Sequence, residues 1–417
     1  MKNIFFVICL LISCSNFAKI TIPPKSLVQY DLKSLTELKE ALKNNSASEE
    51  AKKVYKSLIK KAEKLLAIDN PTVINKKLTP PTNSKNDYLS ISRYWWPDET
   101  KKNGLPWIRK DGNTNPDTQT DAVDRKRLSR MSNAVSTLGL AYFLSGDERF
   151  AKKGTSVVKT WFLNEKTHMN PHLKFSQSVP GNPKSRRSGI LDGREIPLKV
   201  LDGLTMMSNS KYWKDTDQQD WEQWLRDYMV WLAYSETGRD GAEQKNNHGS
   251  WYNFQLAAIA YYNGDINLVK KTVEKTKKLL DIQLNAEGGQ EHELKRTRSF
   301  FYSCFNLDAI TRVAIIAEKA GVPFWDYKSE DNNKGIVKAL DFIIPVVEGA
   351  EWKYKTKKKD DISCMASLLV RVNSRIKNPK YEKALQTILE SVASASKKSS
   401  RQKKIYRDHH LVNQGLF

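Results

Sequence analysis

The chain has 417 residues, with 69 Lys and Arg against 47 Asp and Glu, a formal net charge of +22. With 11 tryptophans, 4 cysteines and a hydrophobic fraction of 39%, it can bury a large core. It is neither collagen, low-complexity disorder nor a disulfide-stapled mini-protein. The long apolar run at the N-terminus, Ile4 to Ile12, is too short to span a bilayer, which excludes a polytopic membrane protein.

That run follows Lys2 and reads as the h-region of a signal peptide over residues 1–18. Two processing routes are open. Leu11-Ile12-Ser13-Cys14 resembles a lipobox, which would lipidate Cys14, and Ala18 offers an ordinary cleavage site. Either way the sequence predicts export, to the periplasm or as an outer-membrane lipoprotein of a Gram-negative cell. A lipid anchor would be its membrane contact.

Residues 19–396 read as one domain. Glu49 to Ile68 has Val54, Leu58, Ile59, Ala62, Leu65 and Leu66 at helical spacing among lysines. Residues 69–130 carry Pro71, Pro80, Pro81, Pro97, Pro106 and Pro116, which argue against long helices. This stretch is an ordered loop or a disordered linker, and Tyr94-Trp95-Trp96 and Trp107 argue for order. Helical patterns follow over about 131–145, 148–163, 193–208, 217–236, 250–263, 266–283, 299–320, 335–348, 361–375 and 379–395, with no convincing strand. Short turns such as Ser145-Gly146-Asp147 and Asn263-Gly264-Asp265 pair them. The predicted class is all-α, an (α/α) toroid or incomplete barrel of antiparallel hairpins. The segment 164–192, with Pro180-Gly181 and Lys184-Ser185-Arg186-Arg187, reads as a lid-like loop. Residues 397–417 form a basic tail.

The positive excess suggests an anionic partner. Export and the lack of a nucleic-acid module favour an acidic polysaccharide over nucleic acid. The plainer reading is solubility, and the lysines of Lys52 to Lys64 and Lys357-Lys358-Lys359 fit it. Beyond the export segment, Cys304 and Cys364 read as two buried thiols.

Three clusters could carry chemistry. Asn246-Asn247-His248-Gly249-Ser250-Trp251 opens a helix, where free N–H groups favour an anion; Asn247 could equally be a plain cap. In Arg296-Thr297-Arg298-Ser299-Phe300-Phe301-Tyr302, Arg298 and Tyr302 share a face if the segment is helical. Arg296 joins Tyr302 only if the helix starts near Ser299. Arg93-Tyr94-Trp95-Trp96-Pro97, with Trp107, Arg109, Asp111 and Asn115, suits sugar rings and carboxylates, or pins a long loop. No zinc motif, phosphate loop or nucleophile elbow is present, so no metal or cofactor is implied. Paired carboxylates of a glycoside hydrolase stay open.

In order, these segments resemble the alginate lyase superfamily of polysaccharide lyases. The match runs through Tyr94-Trp95-Trp96-Pro97, Gly104-Leu105-Pro106, Arg109-Lys110-Asp111-Gly112, Asn115-Pro116, Asn170-Pro171 and Gln177. It continues through Asn246-Asn247-His248 with Trp251, then Glu293-Leu294, Arg296-Thr297-Arg298-Ser299 and Tyr302. It covers about residues 85–345 and is closer to polysaccharide lyase family thirty-eight than to family five. Gly249-Ser250 and Phe301 depart from the usual pattern and bear on which uronate is used.

The resemblance implies a helical toroid that cleaves a polyuronate by β-elimination, with alginate favoured and glucuronan the alternative. It implies that Asn247 and Arg296 neutralise the substrate carboxylate and that Tyr302 protonates the leaving oxygen. It gives His248 the base role where the C5 proton lies opposite the leaving group, and Tyr302 both roles where the two share a side. Nearby cations such as Arg296 would lower the Tyr302 pKa. Arg93, Tyr94, Trp95, Arg109, Gln177, Trp251 and Arg298 are the implied substrate contacts. A binding protein without catalysis, a hydrolase on the same fold, and a lyase for sulfated glycosaminoglycans are the competing readings.

Overall fold

The computed structural model describes residues 27–182, 189–331, 333–356 and 362–394. The export segment, Lys184 to Arg187, Lys357 to Lys359 and the basic tail lie outside them.

Helices pair in antiparallel hairpins and form the (α/α) toroid that the periodicity implied. Arg125–Ser145 turns into Glu148–Val158 through Gly146, at φ 72°. Asn247–Tyr262 turns into Ile266–Gln283 through Gly264, at φ 78°. Glycine takes this left-handed conformation without a Cβ penalty. Glu49–Leu66, Asp215–Tyr234, Ser299–Lys319 and Pro379–Ser394 also lie close to their expected spans. Ser299–Lys319 is long and apolar enough to cross a membrane, yet it is mostly buried and serves as a core helix.

One contiguous cluster of buried side chains runs from Leu27 to Val392. The N-terminal segment is tied to it by a buried carboxylate. Asp202 accepts the backbone N–H groups of Val28, Gln29 and Tyr30 at 2.5, 2.8 and 3.1 Å. Lys319 donates to the carbonyls of Leu27 and Tyr30 at 2.6 and 2.7 Å. Cys304 is buried and Cys364 only half-buried, and both are free thiols.

Several features differ from the sequence reading: the short helix Glu236–Ala242 was not expected, and the helix expected over 193–208 is split into shorter pieces. A helix, Leu32–Lys43, precedes the first expected one; Asp31 caps it by accepting the Ser34 N–H. Among the described residues, four short strands exist where none was expected: β1 (Leu89–Ile91), β2 (Trp95–Trp96), β3 (Ile108–Arg109) and β4 (Phe175–Ser178). β1 pairs in parallel with β4, and β2 pairs antiparallel with β3. The proline-rich stretch 69–130 is therefore an ordered structure. Buried Asn115 fixes it by donating from Nδ2 to the Trp95 carbonyl at 2.9 Å and from its backbone N–H to the Arg93 carbonyl at 2.7 Å.

Candidate active site

Three chain segments meet and enclose a cleft of about 300 Å³. The β2–β3 hairpin contributes Arg93, Tyr94, Trp95 and Arg109. The start of the Asn247–Tyr262 helix contributes Asn246, Asn247 and His248. The segment entering Ser299–Lys319 contributes Arg296, Phe301, Tyr302 and Phe305. Gln177 from β4, with Arg125, Leu191 and Arg194, completes the wall.

At the helix start Asn246, rather than Asn247, is the cap: its Oδ1 accepts the His248 N–H at 2.9 Å. That frees the Asn247 side chain for another partner. Its Nδ2 donates to both carboxylate oxygens of Glu293 at 2.9 Å, and its backbone N–H donates to Glu293 Oε1 at 2.7 Å. A buried amide network underlies both. Asn306 Nδ2 donates to Gln283 Oε1 and Gln290 Oε1 at 2.8 and 2.7 Å, and Gln290 Nε2 donates to the Ser303 carbonyl at 3.1 Å.

The second helix begins at Ser299, so Arg296 lies in the preceding loop and can turn toward Tyr302. Its guanidinium sits 3.7 Å from the Tyr302 ring centroid. Asp111 orients it, accepting from Arg296 Nη2 at 2.9 Å, from Thr297 Oγ1 at 3.0 Å and from Arg109 Nη2 at 2.7 Å. Burial pushes the Asp111 carboxyl up, but Arg296, Thr297 and Arg109 outweigh this and hold it well below the usual carboxylate range. The Tyr302 hydroxyl donates to the Tyr94 hydroxyl at 3.0 Å. Arg296 does lower the Tyr302 pKa, as expected. Burial is the larger effect and the Tyr94 bond adds to it, so the net shift is upward and the phenol is held protonated.

Asp192, which sequence reasoning passed over, organises the far wall. It is buried and accepts from Tyr88 Oη (3.0 Å), Ser90 Oγ (2.6 Å), Ser176 Oγ (3.1 Å), Gln177 Nε2 (3.0 Å) and Arg125 Nη1 (2.5 Å). Arg93, Arg125 and Arg194 also line an adjoining cavity of about 230 Å³. Burial lowers the Arg93 and Arg194 pKa values, and repulsion from Arg125 lowers both further. An arriving anion relieves that repulsion. A larger cavity of about 540 Å³ lies elsewhere, lined by Lys61, Lys64, Arg127, Arg130 and Lys153 with Asp69. Its Arg127 is tied to the carbonyls of Asn75, Asp121 and Val123.

Two expected substrate contacts are not in the cleft. Trp251 is core: it packs on Phe254 and Phe305 at 5.6 and 4.9 Å, with Arg194 over its ring. Arg298 caps the Ser299–Lys319 helix with its backbone, and its guanidinium lies 4.5 Å from the Phe301 ring centroid. The described part of the 164–192 loop does reach the aromatic stretch, where the Trp107 N–H donates to the Pro180 carbonyl at 3.0 Å.

The carboxylates here set an acid limit. Burial pushes Asp192 up, but Arg125, Ser90 and Gln177 hold it at about 2. Burial likewise pushes Asp87 up, but His172, Thr82 and Asn170 hold it at about 2. A depressed folded pKa stabilises above the unfolded value, about 4, and that contribution is lost as pH falls to about 2. Asp124, raised by burial to about 6, is protonated before that window opens. Thermal melts are expected to show stability falling between about pH 4 and pH 2. A flat profile there would show that these carboxylates are not held as described.

The Alginate lyase family model matches residues 72–353. An alginate lyase from Bacteroides ovatus is 32% identical, with 94% of this chain and 99% of that chain covered and a TM-score of 0.84. A variant of alginate lyase A1-III complexed with a tetrasaccharide shares the fold at 13% identity, with 82% of this chain and 86% of that one covered and a TM-score of 0.55. Comparison with curated proteins gives no match. The cleft just described lies wholly within the matched residues, and by that match and the Bacteroides ovatus relative the chain belongs to the alginate lyase family of polysaccharide lyases.

Proposed function

We propose that this protein is an exported lyase that cleaves alginate by β-elimination in the cleft between Arg296, His248 and Tyr302. One observation carries the substrate class. Five arginines (Arg93, Arg109, Arg125, Arg194 and Arg296) line the cleft, and among its described lining residues there is no carboxylate. That lining suits a polyanion and withholds the acid pair a hydrolase would need. The relatives named alginate lyases support alginate in particular. The signal-like N-terminus supports export, where such a polymer is met, and Cys14 would hold the protein to a membrane by a lipid.

Elimination removes the C5 proton beside a charged carboxylate and expels the sugar oxygen at C4, leaving a double bond between C4 and C5. Arg296 and Asn247 bind the carboxylate and stabilise the negative charge that develops on it. Tyr302, held protonated, gives its proton to the leaving oxygen. His248 takes the C5 proton where that proton lies opposite the leaving group, as in guluronate blocks. In mannuronate blocks the two share a side, and Tyr302 would have to lose its proton first, against the effect of burial. Arg93, Tyr94, Trp95, Arg109 and Gln177 line the path of the flanking sugars.

The test is ultraviolet absorbance of unsaturated ends with polyguluronate, polymannuronate and glucuronan. A rise on guluronate blocks that is lost in His248→Gln supports the two-residue route. A rise on mannuronate blocks alone makes Tyr302 the base. A response to glucuronan only replaces the substrate, and silence on every polymer overturns the lyase reading.

A further inference from the structure

The polarity of Asn247 poses a problem for carboxylate binding. Both oxygens of Glu293 draw its Nδ2 at 2.9 Å. With both Nδ2 hydrogens taken, the side chain of Asn247 has only its oxygen, an acceptor, to offer in the cleft it lines, where a substrate carboxylate would bring two more acceptors. Glu293 itself is buried beside this site, on the short helix Glu291–Leu294. Two anions and an amide oxygen cannot share that space without a proton.

We propose that Glu293 takes up a proton from solvent when the polyuronate binds, and thereby switches the amide of Asn247 from acceptor to donor. The inference rests on the reading that Asn247 and Arg296 hold the substrate carboxylate. In the free protein Glu293 is ionised and holds Nδ2. On binding, the proton lands on one carboxyl oxygen of Glu293, and that O–H donates to Asn247 Oδ1. The amide turns over, and Nδ2 donates to the substrate carboxylate. The other Glu293 oxygen keeps the Asn247 backbone N–H, so the helix start does not move. Product release returns the proton to solvent. Glu293 is thus a positioning residue, acting through Asn247.

The surroundings suit this exchange. Burial already raises the Glu293 pKa, while Asn247 and Arg296 lower it. Arg296, on the same segment, is the charged group that acts on it. His248 follows Asn247 on the facing helix, and Tyr302 lies in the first turn of the next one. Below them Gln283, Gln290 and Asn306 are neutral amides that do not titrate. A carboxylate seated on Arg296 cancels a cation that favours ionised Glu293, which pushes the group toward its neutral form.

Calorimetry of oligouronate binding to the Tyr302→Phe protein, in buffers of differing ionisation enthalpy, counts the protons taken up. At a pH where Glu293 is ionised in the free protein, about one proton should enter per ligand. Adding Glu293→Gln should remove that proton, because a Gln amide already donates to Asn247 Oδ1. It should also flatten the rise of Kd with increasing pH. A merely structural Glu293 would change affinity without changing the proton count. Equal counts in the two proteins overturn the inference and leave the function reading intact. Failure of oligouronate to bind either protein overturns both. Where Glu293→Gln does not fold, infrared difference spectra of the Tyr302→Phe protein decide. A protonated-carboxyl band must appear on binding and must not shift when the ligand carboxyls carry heavy carbon. Its absence overturns the inference.

Discussion

Replacing Tyr302 with Phe is expected to lower kcat by about 10²–10⁴-fold, the usual worth of a general acid. The change removes one hydroxyl and keeps the ring. Arg296, 3.7 Å from the ring centroid, retains its stacking partner and stays anchored by Asp111. Only the bond to the Tyr94 hydroxyl is lost. Oligouronate affinity should therefore change little, and the loss should fall on kcat rather than KM. Steady-state kinetics on the responding polymer check this. A kcat within tenfold of the parent's would take the acid role away from Tyr302.

Asp192→Ala is expected to be among the most damaging single changes, costing about 3–5 kcal/mol as the loss of one partner in a buried ion pair. Five side chains converge on that carboxylate, and two of them, Gln177 and Arg125, line the cleft. Without it Arg93, Arg125 and Arg194 repel one another more strongly, with Glu195 left to balance Arg125 and Arg194. Urea unfolding gives the stability change. For protein that still folds, KM should rise as Gln177 and the arginines lose their orientation. Asp192→Asn keeps several hydrogen bonds while losing the charge, and should fall between parent and Ala. A cost below about 1 kcal/mol would reduce Asp192 to a solvated surface pair.

The helical part of the fold is written into the sequence as period. Ile266–Gln283 places Val269, Thr272, Val273, Thr276 and Leu280 on one buried face, and its bounds follow directly. Leu32–Lys43 buries only Leu35, so its pattern is faint. The strands leave no local trace. They span two to four residues, and β1 finds β4 some eighty positions later. Such pairing is set by tertiary contact rather than by alternation.

Much of the site was legible for a different reason. Tyr94, Trp95, Arg109, Asn247, His248, Arg296 and Tyr302 sit in short runs of aromatic, amide and basic residues that stand out along the chain. Asp192, Arg125 and Arg194 do not, because each is an ordinary residue whose meaning comes from segments 60 to 100 positions apart. Glu293 was visible only as part of a matching string, and its bonds to Asn247 are seen only in the fold. Trp251 was misplaced because, one turn further along a helix that is buried nearly all round, it packs into the core. Arg298 was misplaced because the i,i+4 argument needs a helical residue, and its backbone, at φ −134°, precedes the helix.

Mass spectrometry of products formed in heavy-oxygen water tests the central claim most directly. Elimination consumes no water, so the unsaturated oligouronates should be lighter by one water than hydrolysis products. They should also carry no heavy oxygen from the cleavage step. Incorporation of one heavy oxygen per cleavage, without a double bond, would show hydrolysis and contradict the assignment of this cleft to β-elimination.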